Sequence, residues 1–415
     1  MSSKIAAENF PISPPEAEKV VVVREYDEER DNAAVEELER RCEFGGQRGK
    51  PSLVTDLMGD PICRVRNFSS HVMLVAEYGE EREIVGVIRG CVKTVTSGRK
   101  ASTSEDVPSY VKLAYILGLR VSPTHRRLGI GTKLVQHLEE WCKQNGADYA
   151  YMATDCTNEP SVNLFTMKCN YRKFCTPTML VHPVHAHTKP LDSAISIVRI
   201  PPQLTESIYR RVYANSEFFP HDIDQILNNK LNLGTFIAMP KKLLPKWDPQ
   251  NGILPPSFAM LSVWNTKEVF KLQVKGVSML TYAWCVGSRV LDTLLPWLRV
   301  PSIPNVFRQF GVYFLFGLYM EGKGASQLMK SLCAFAHNMA RDEGGCGALV
   351  AEVGQRDPIR EAIPHWKKFS WAEDLWCIKK LEPAKQESDE DCGPSDWIKS
   401  QSSCSSVIFV DPRDF

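Results

Sequence analysis

None of the 13 cysteines stands at Cys-x-x-Cys spacing, which removes the usual signature of a zinc site or a thioredoxin-type redox pair. Reduced, mostly buried thiols are the plain reading. Long apolar runs are also missing: no stretch reaches the roughly 18 residues of a membrane span, and the opening MSSKIAAENFPISPPEAEK lacks the apolar core of a signal peptide. A cytosolic or nuclear compartment is expected. Neither sign of charge is in excess. A formal net charge of +1 gives no global field for nucleic acid, an anionic membrane or an acidic substrate, and no dense Lys/Arg cluster marks a nuclear address. What is present is ordinary globular composition, 43% hydrophobic and 24% charged. At 415 residues the chain exceeds what one hydrophobic core supports, so two domains plus tails are expected.

Residues 1–18, rich in Pro, Glu and Ser, read as a flexible leader. Residues 19–183 read as a first domain of mixed α/β order. A strand near Val20–Arg24 leads into a helix carrying Val35, Leu38 and Cys42, and a hairpin follows over His71–Val95. The polar stretch Thr96–Pro108 reads as a surface loop. Next come a strand Leu113–Val121, an amphipathic helix Thr132–Asn145 and a strand Tyr149–Thr154, a βαβ unit with parallel strands. A helix over Ser161–Lys168 and a strand near Lys173–Val181 close the domain. The same order recurs over residues 190–383, with an insertion near Val277–Asn305, which suggests an internal duplication. Residues 384–415 form an acidic, Ser-rich tail ending in an apolar edge strand, Val407–Val410.

Chemistry concentrates in Leu119-Arg120-Val121-Ser122-Pro123-Thr124-His125-Arg126-Arg127-Leu128-Gly129-Ile130-Gly131-Thr132, which joins a strand to a helix. Gly129 and Gly131 bring backbone N–H groups to the positive end of a helix, and Arg126 and Arg127 add charge-assisted donors, which together suit a pyrophosphate. The same residues would also make a plain Gly-rich turn with solvated arginines. His182, His185 and His187 lack a spaced Cys or carboxylate partner and read as a linker, with no metal expected. Tyr115 reads as core. In the second half, Glu321-Gly322-Lys323-Gly324-Ala325-Ser326 replaces the arginines with an acid that would repel phosphate.

The first loop resembles the acetyl-CoA motif of the GCN5-related N-acetyltransferases, Arg/Gln-x-x-Gly-x-Gly/Ala, matched by Arg126, Gly129 and Gly131. Asn158 to Tyr171 resembles that family's Asn-x-x-Ala-x-x-Leu-Tyr-x-x-x-Gly-Phe. The resemblance implies two tandem domains of this α/β, mixed-sheet fold, the second degenerate. It implies acetyl-CoA as co-substrate on Leu119, Arg120, Val121, Arg126, Arg127, Leu128, Gly129, Ile130, Gly131, Thr132, Asn158 and Phe165. Phe165 stands where the family commonly has a tyrosine that protonates the departing thiolate. Asp155, at a strand end, is the candidate general base, or equally an Asp capping a turn.

Segments Val22–Asp27, Asp60–Arg66, Leu117–Pro123, Glu217–Pro220, Asn228–Leu231, Asp374–Lys379 and Phe409–Arg413 further resemble the HOOKLESS type of plant N-acetyltransferase-like proteins. That resemblance implies a nuclear regulator of hook bending and differential growth, with histone or other protein amines as acceptors. Two function classes stay open: a protein N-acetyltransferase, or a catalytically weak acetyl-CoA-binding regulator or scaffold with a protein partner.

Overall fold

The computed structural model describes residues 20–43, 52–100, 108–248, 253–367, 370, 374–381 and 407–415. The expected leader and most of the expected acidic tail lie outside them. The elements run β1 (Val21–Glu25), α1 (Glu28–Glu43), β2 (Ser52–Asp56), β3 (Ser70–Tyr78), β4 (Glu83–Lys100), β5 (Pro108–Val121), α2 (Ile130–Gln144), β6 (Tyr149–Asp155), α3 (Glu159–Asn163), β7 (Arg172–Cys175) and β8 (Thr178–Pro183). Then follow β9 (Ile195–Ile200), α4 (Pro202–Val212), β10 (Glu217–Pro220), α5 (Ile223–Leu227), β11 (Asn232–Pro240), β12 (Phe258–Asn265), β13 (Lys271–Lys275), α6 (Met279–Leu294), β14 (Gly311–Glu321), α7 (Ala325–Glu343), β15 (Cys346–Val353) and β16 (Asp374–Lys380).

Two mixed sheets face each other across one core. The first is ordered β1-β3-β4-β5-β6-β16-β7 with β10 at the end of β4, and the second β8-β15-β14-β12-β11-β9. Alternation along each strand sorts the side chains. On β5 and β6, Ala114, Ile116, Ala150 and Met152 turn toward α2, whose Leu134, Val135, Leu138 and Cys142 repeat at helical spacing. Tyr115, Leu117 and Tyr151 turn the other way and meet Val312, Phe314 and Val350 of the second sheet. Helix α7 covers the far face of that sheet through Leu328, Met329, Leu332 and Ala336.

The two halves exchange strands. β8 closes the first half in sequence yet pairs antiparallel with β15, and β16, from the second half, lies between β6 and β7. Lys173–Val181 is expected as one strand of the first domain and Leu375–Leu381 as a strand of the second. Instead, Pro177 separates β7 from β8, and Leu375 and Cys377 fill the core beneath α2. A strand buried on both faces carries no mark of which sheet it belongs to.

Thr96–Lys100 differs from the expected loop. β4 runs on to Lys100, which pairs with Pro108 of β5, and residues 101–107 lie outside the described ones; β10 pairs with β4 at Val95 and Ser97 and buries Thr96, whose hydroxyl donates to Ser216 O at 2.7 Å. Ile408 makes a single parallel bridge to Glu217 rather than joining an edge strand, and residues 408–414 are buried between the sheets. No helix among the described residues is long and apolar enough to cross a membrane.

Candidate active site

β5 ends in one tight turn, Pro123–His125, before the chain swings into α2. The left-handed conformation is needed twice there, at Arg127 (φ 66°) and Gly129 (φ 78°). Gly129 is the N-cap of α2, and no side chain caps it. The first-turn N–H groups therefore point outward without an intrahelical partner, at the positive end of a 15-residue dipole. A Cβ added at Gly129 would meet nothing within 4 Å, so the glycine serves its φ angle and leaves the approach open. At Gly131 a Cβ would lie 3.3 Å from Leu164.

Arg126, Arg127 and Leu128 are exposed, and neither arginine makes an ion pair among the described residues. Ile130 is buried beneath the loop and Thr132 is half-buried. Arg120 is engaged elsewhere, its Nε 3.2 Å from Glu39. Open N–H groups and two unpaired guanidinium groups fit the pyrophosphate of a coenzyme A thioester.

Beside this loop the sheet splits. β5 and β6 pair from Leu113↔Tyr149 to Ile116↔Met152, and no pairing continues beyond, although β5 runs to Val121 and β6 to Asp155. A bulge starts the divergence: the β4–β5 register slips between Val87 and Arg89, and Gly118 takes φ 63°. Buried Arg89 holds the bulge, donating to Gly118 O (3.2 Å), Pro61 O (2.6 Å) and Glu39 (2.9 Å). A side chain at residue 118 would start 2.6 Å from the Arg89 guanidinium. Leu119–Val121 thus border a gap, with backbone groups on that edge free of a strand partner.

On the face of the gap away from α2 lies a cavity of about 400 Å³ between the two sheets. Its walls are mainly apolar, including Tyr115, Tyr151, Ala153, Val312, Val350, Trp376 and Phe415. Four carboxylates interrupt them: Asp155, Glu352, Asp374 and Asp414. Burial, and next the charge of Asp374, push the Glu352 carboxyl up to about 8, against the Trp376 indole N–H that donates to it at 3.1 Å. Asp374 is pushed up to about 6 by burial and by Asp155, its cross-strand partner on β6.

The other residues singled out by sequence fall variously. Asp155 is exposed at the cavity rim, and one of its oxygens accepts from the Thr157 N–H (2.7 Å) and hydroxyl (2.6 Å), the turn-capping arrangement. Asn158 caps α3, accepting from Ser161 N at 3.4 Å. Phe165 is not at the gap. Its ring is buried in the core beneath α2, edge-on to Tyr171 at 5.2 Å. Between Phe165 and left-handed Asn170 the chain has one residue more than the family spacing, and the surplus is absorbed as a π-turn, Leu164–Lys168, closed by Cys169 N to Leu164 O. Tyr115 is core, stacked on Tyr151 at 4.7 Å, and also forms cavity wall.

His182, His185, His187 and His337 cluster beside α6, where His187 meets buried Asp292 at 2.7 Å. No group of three or more His, Cys, Asp or Glu among the described residues is placed to hold a metal. Sequence reasoning passed over Glu352, Asp374 and Asp414. A charged residue inside the apolar run Ala348–Val353 was the available signal for the first.

The second half repeats the split with different contents. β14 and β15 part after Phe314↔Val350, and Gly317 (φ 58°) takes the place of Gly118. Here the ring of Tyr209 crowds the glycine, Tyr213 donates to Leu318 O at 2.7 Å, and Val407–Val410 pack beside Leu315–Leu318. Gly324 caps α7 as Gly129 caps α2, without an arginine pair before it.

The sequence pattern of the acetyltransferase (GNAT) family matches residues 33–171. "Probable N-acetyltransferase HLS1" of Arabidopsis thaliana is 52% identical over 411 residues, covering 95% of this chain and 100% of that protein. "Acetyl transferase GW6a" of Oryza sativa subsp. japonica is 41% identical over 434 residues, with 96% and 98% covered. Among solved structures, the N-myristoyltransferase of Saccharomyces cerevisiae with bound myristoyl-CoA superposes with a TM-score of 0.52 at 8% identity, covering 89% of this chain and 80% of that one, a likeness of fold. With identity above one half to a full-length relative, and with the split strand and open helix N-terminus inside the matched segment, the chain belongs to the acetyltransferase (GNAT) family, acyltransferases that draw on an acyl-CoA.

Proposed function

We propose that the chain moves an acetyl group from acetyl-CoA to the side-chain amine of a protein lysine, histone tails included, in the nucleus, as part of the control of differential growth and hook development in a plant. The observation that carries this reading is the parting of β5 and β6 after Ile116 and Met152. The open N-terminus of α2 follows β5 directly, and the β6 residues past the parting, Ala153 to Asp155, line an apolar, carboxylate-bearing cavity. A thioester anchored by its pyrophosphate at Gly129 can pass its acetyl end through that gap, where the unpaired edge of β5 offers N–H groups to the developing oxyanion. An alkyl ammonium suits the far side, because its stem matches apolar walls and its charge the acids. The growth role and the nucleus rest on the resemblance to HOOKLESS-type proteins.

The alternative of a catalytically weak regulator drew on Phe165, whose ring lies in the core and so says nothing about a missing proton donor at the gap. The direct test is labelled acetyl-CoA incubated with the purified chain and nuclear extract. Label on lysine side chains of particular proteins is the expected result. Tight acetyl-CoA binding by calorimetry with no labelled protein would favour the regulator, and a fluorescent fusion confined to the cytoplasm would remove the nuclear assignment.

A further inference from the structure

The cavity acids come from both halves of the chain, and their arrangement is specific. Glu352 is on β15 of the second sheet, whereas Asp374 is on β16, the strand that the second half inserts beside β6. Trp376, two residues along β16, donates its indole N–H to Glu352. Ala153, paired with Trp376, and Thr154 are the first β6 residues past the point where β5 and β6 part. Glu352 therefore lines the same cavity as Ala153 and Thr154, and is held in orientation by Trp376, whose strand partner Ala153 lies just past the point where β5 and β6 part.

We propose that Glu352, delivered by the half of the chain without a phosphate loop of its own, is the catalytic residue that accepts the proton of the acceptor ammonium, with Trp376 as its positioning residue and Asp374 as the neighbouring negative charge. This rests on the acetyltransferase reading above. It also gives the second half a direct part in the reaction.

The Glu352 carboxylate takes one proton from R–NH3⁺, giving R–NH2 and a neutral carboxylic acid. The nitrogen lone pair forms the N–C bond to the thioester carbonyl, and the C–S bond breaks with its electron pair going to sulfur. A second N–H proton ends on that sulfur, leaving the amide and free CoA thiol, and Glu352 returns its proton to solvent through the cavity. A proton acceptor works best with a pKa near the working pH. Burial and Asp374 push Glu352 up to about 8, into that range. The other charged or titratable groups that line the cavity are Asp374, Asp414, Arg64, Tyr115 and Tyr151, with Asp155 at the rim. Asp155 already accepts two hydrogen bonds from Thr157, whereas one indole N–H is the side-chain donor to Glu352.

The test uses the full chain, acetyl-CoA and n-butylamine, an unbranched stem with one ammonium, following amine-dependent release of CoA thiol over pH 6–10. Calorimetry with acetyl-CoA alone is run on every variant, so that loss of cofactor binding, a failure of the acetyltransferase reading, is seen separately. The expected result is that Glu352→Gln keeps acetyl-CoA affinity within about threefold, loses about 100-fold or more in kcat/KM for butylamine, and exchanges the parent's ascending limb for one that follows the free amine, which titrates at about 10 as an alkyl ammonium does. Glu352→Asp should restore part of the rate and retain a limb, which a purely structural role would not require. The proposal is overturned if Glu352→Gln is as fast as the parent with the same limb, or if Glu352→Asp and Glu352→Gln are equally slow with the limb unmoved. It is equally overturned if a parent protein that binds acetyl-CoA releases no thiol on addition of the amine.

Discussion

The Lys93 ammonium lies 2.6 Å from a carboxylate oxygen of Asp414, two buried side chains that join the middle of the first sheet to the penultimate residue of the chain. The same oxygen accepts from the Tyr151 hydroxyl at 2.6 Å, and neighbouring Arg413 grips Asp222 through two bonds of 2.7 and 3.0 Å. Removing one partner of a buried ion pair strands the other charge in a medium that cannot solvate it, at about 3–5 kcal/mol. Lys93→Met is expected to lower unfolding free energy by that order in a urea titration. The double variant Lys93→Met with Asp414→Asn should recover part of the loss. Equal stability of Lys93→Met and the parent would show that the C-terminal residues are not anchored as described.

At the phosphate loop, Gly129→Asp is expected to abolish acetyl-CoA binding, since it adds a negative charge and a Cβ at φ 78°. Gly129→Ala separates the two effects: nothing lies within 4 Å of the new carbon, so about 1–2 kcal/mol of backbone strain remains without charge. Arg126→Ala and Arg127→Ala should each weaken affinity by roughly 10-fold to 100-fold, the worth of a charge-assisted hydrogen bond. Isothermal calorimetry on the folded variants checks all four.

Installing a hydroxyl at Phe165 would aim it into the apolar core beneath α2 and not at the departing sulfur. Phe165→Tyr is therefore expected to cost about 1–3 kcal/mol of stability for a buried hydroxyl without a partner, and to leave the transfer rate unraised. Faster single-turnover transfer by this variant would place the ring at the gap after all.

Acid should unfold the chain through its histidine cluster. Burial depresses His182 to about 2, His337 to about 3 and His185 to about 4, all below the ordinary value of 6.5. Below pH 6.5 the unfolded chain binds protons that the folded chain refuses, so stability is fully present above that pH and falls as pH drops, by ~1 kcal/mol per group per unit. Glu352 and Asp374 work in the opposite sense: their raised values mean stability present below about pH 4.5 and lost as pH rises through about 6 and 8. Urea midpoints across pH 5–9 should peak between these limbs, and Glu352→Gln should flatten the alkaline one.

Because β16 lies between β6 and β7, a fragment ending at residue 183 would lack the strand that both of them pair with. Such a fragment is expected to be aggregation-prone and without a cooperative thermal transition, and to recover both order and acetyl-CoA binding when co-expressed with residues 184–415. A monomeric, cooperatively folding fragment would contradict the strand exchange.

The sequence alone determined what local chemistry can encode. Gly129 and Gly131 after a strand, two arginines and an amphipathic helix specify an anion-binding helix start, because glycine spacing and helix period act over a dozen residues. The duplicated strand–helix–strand order was legible for the same reason. Tertiary structure decided which sheet each strand joined, since β8 and β16 bury residues on both faces and either sheet satisfies their hydrogen bonds. That choice set Asp374 opposite Asp155 and Trp376 against Glu352, pairs joined by register rather than by any motif. It also turned Phe165 inward through one surplus residue, and it filled the second cleft with Tyr209 and the C-terminal segment. Charge burial, and with it the raised affinity of Glu352 for a proton, exists only once two distant strands close on the same cavity.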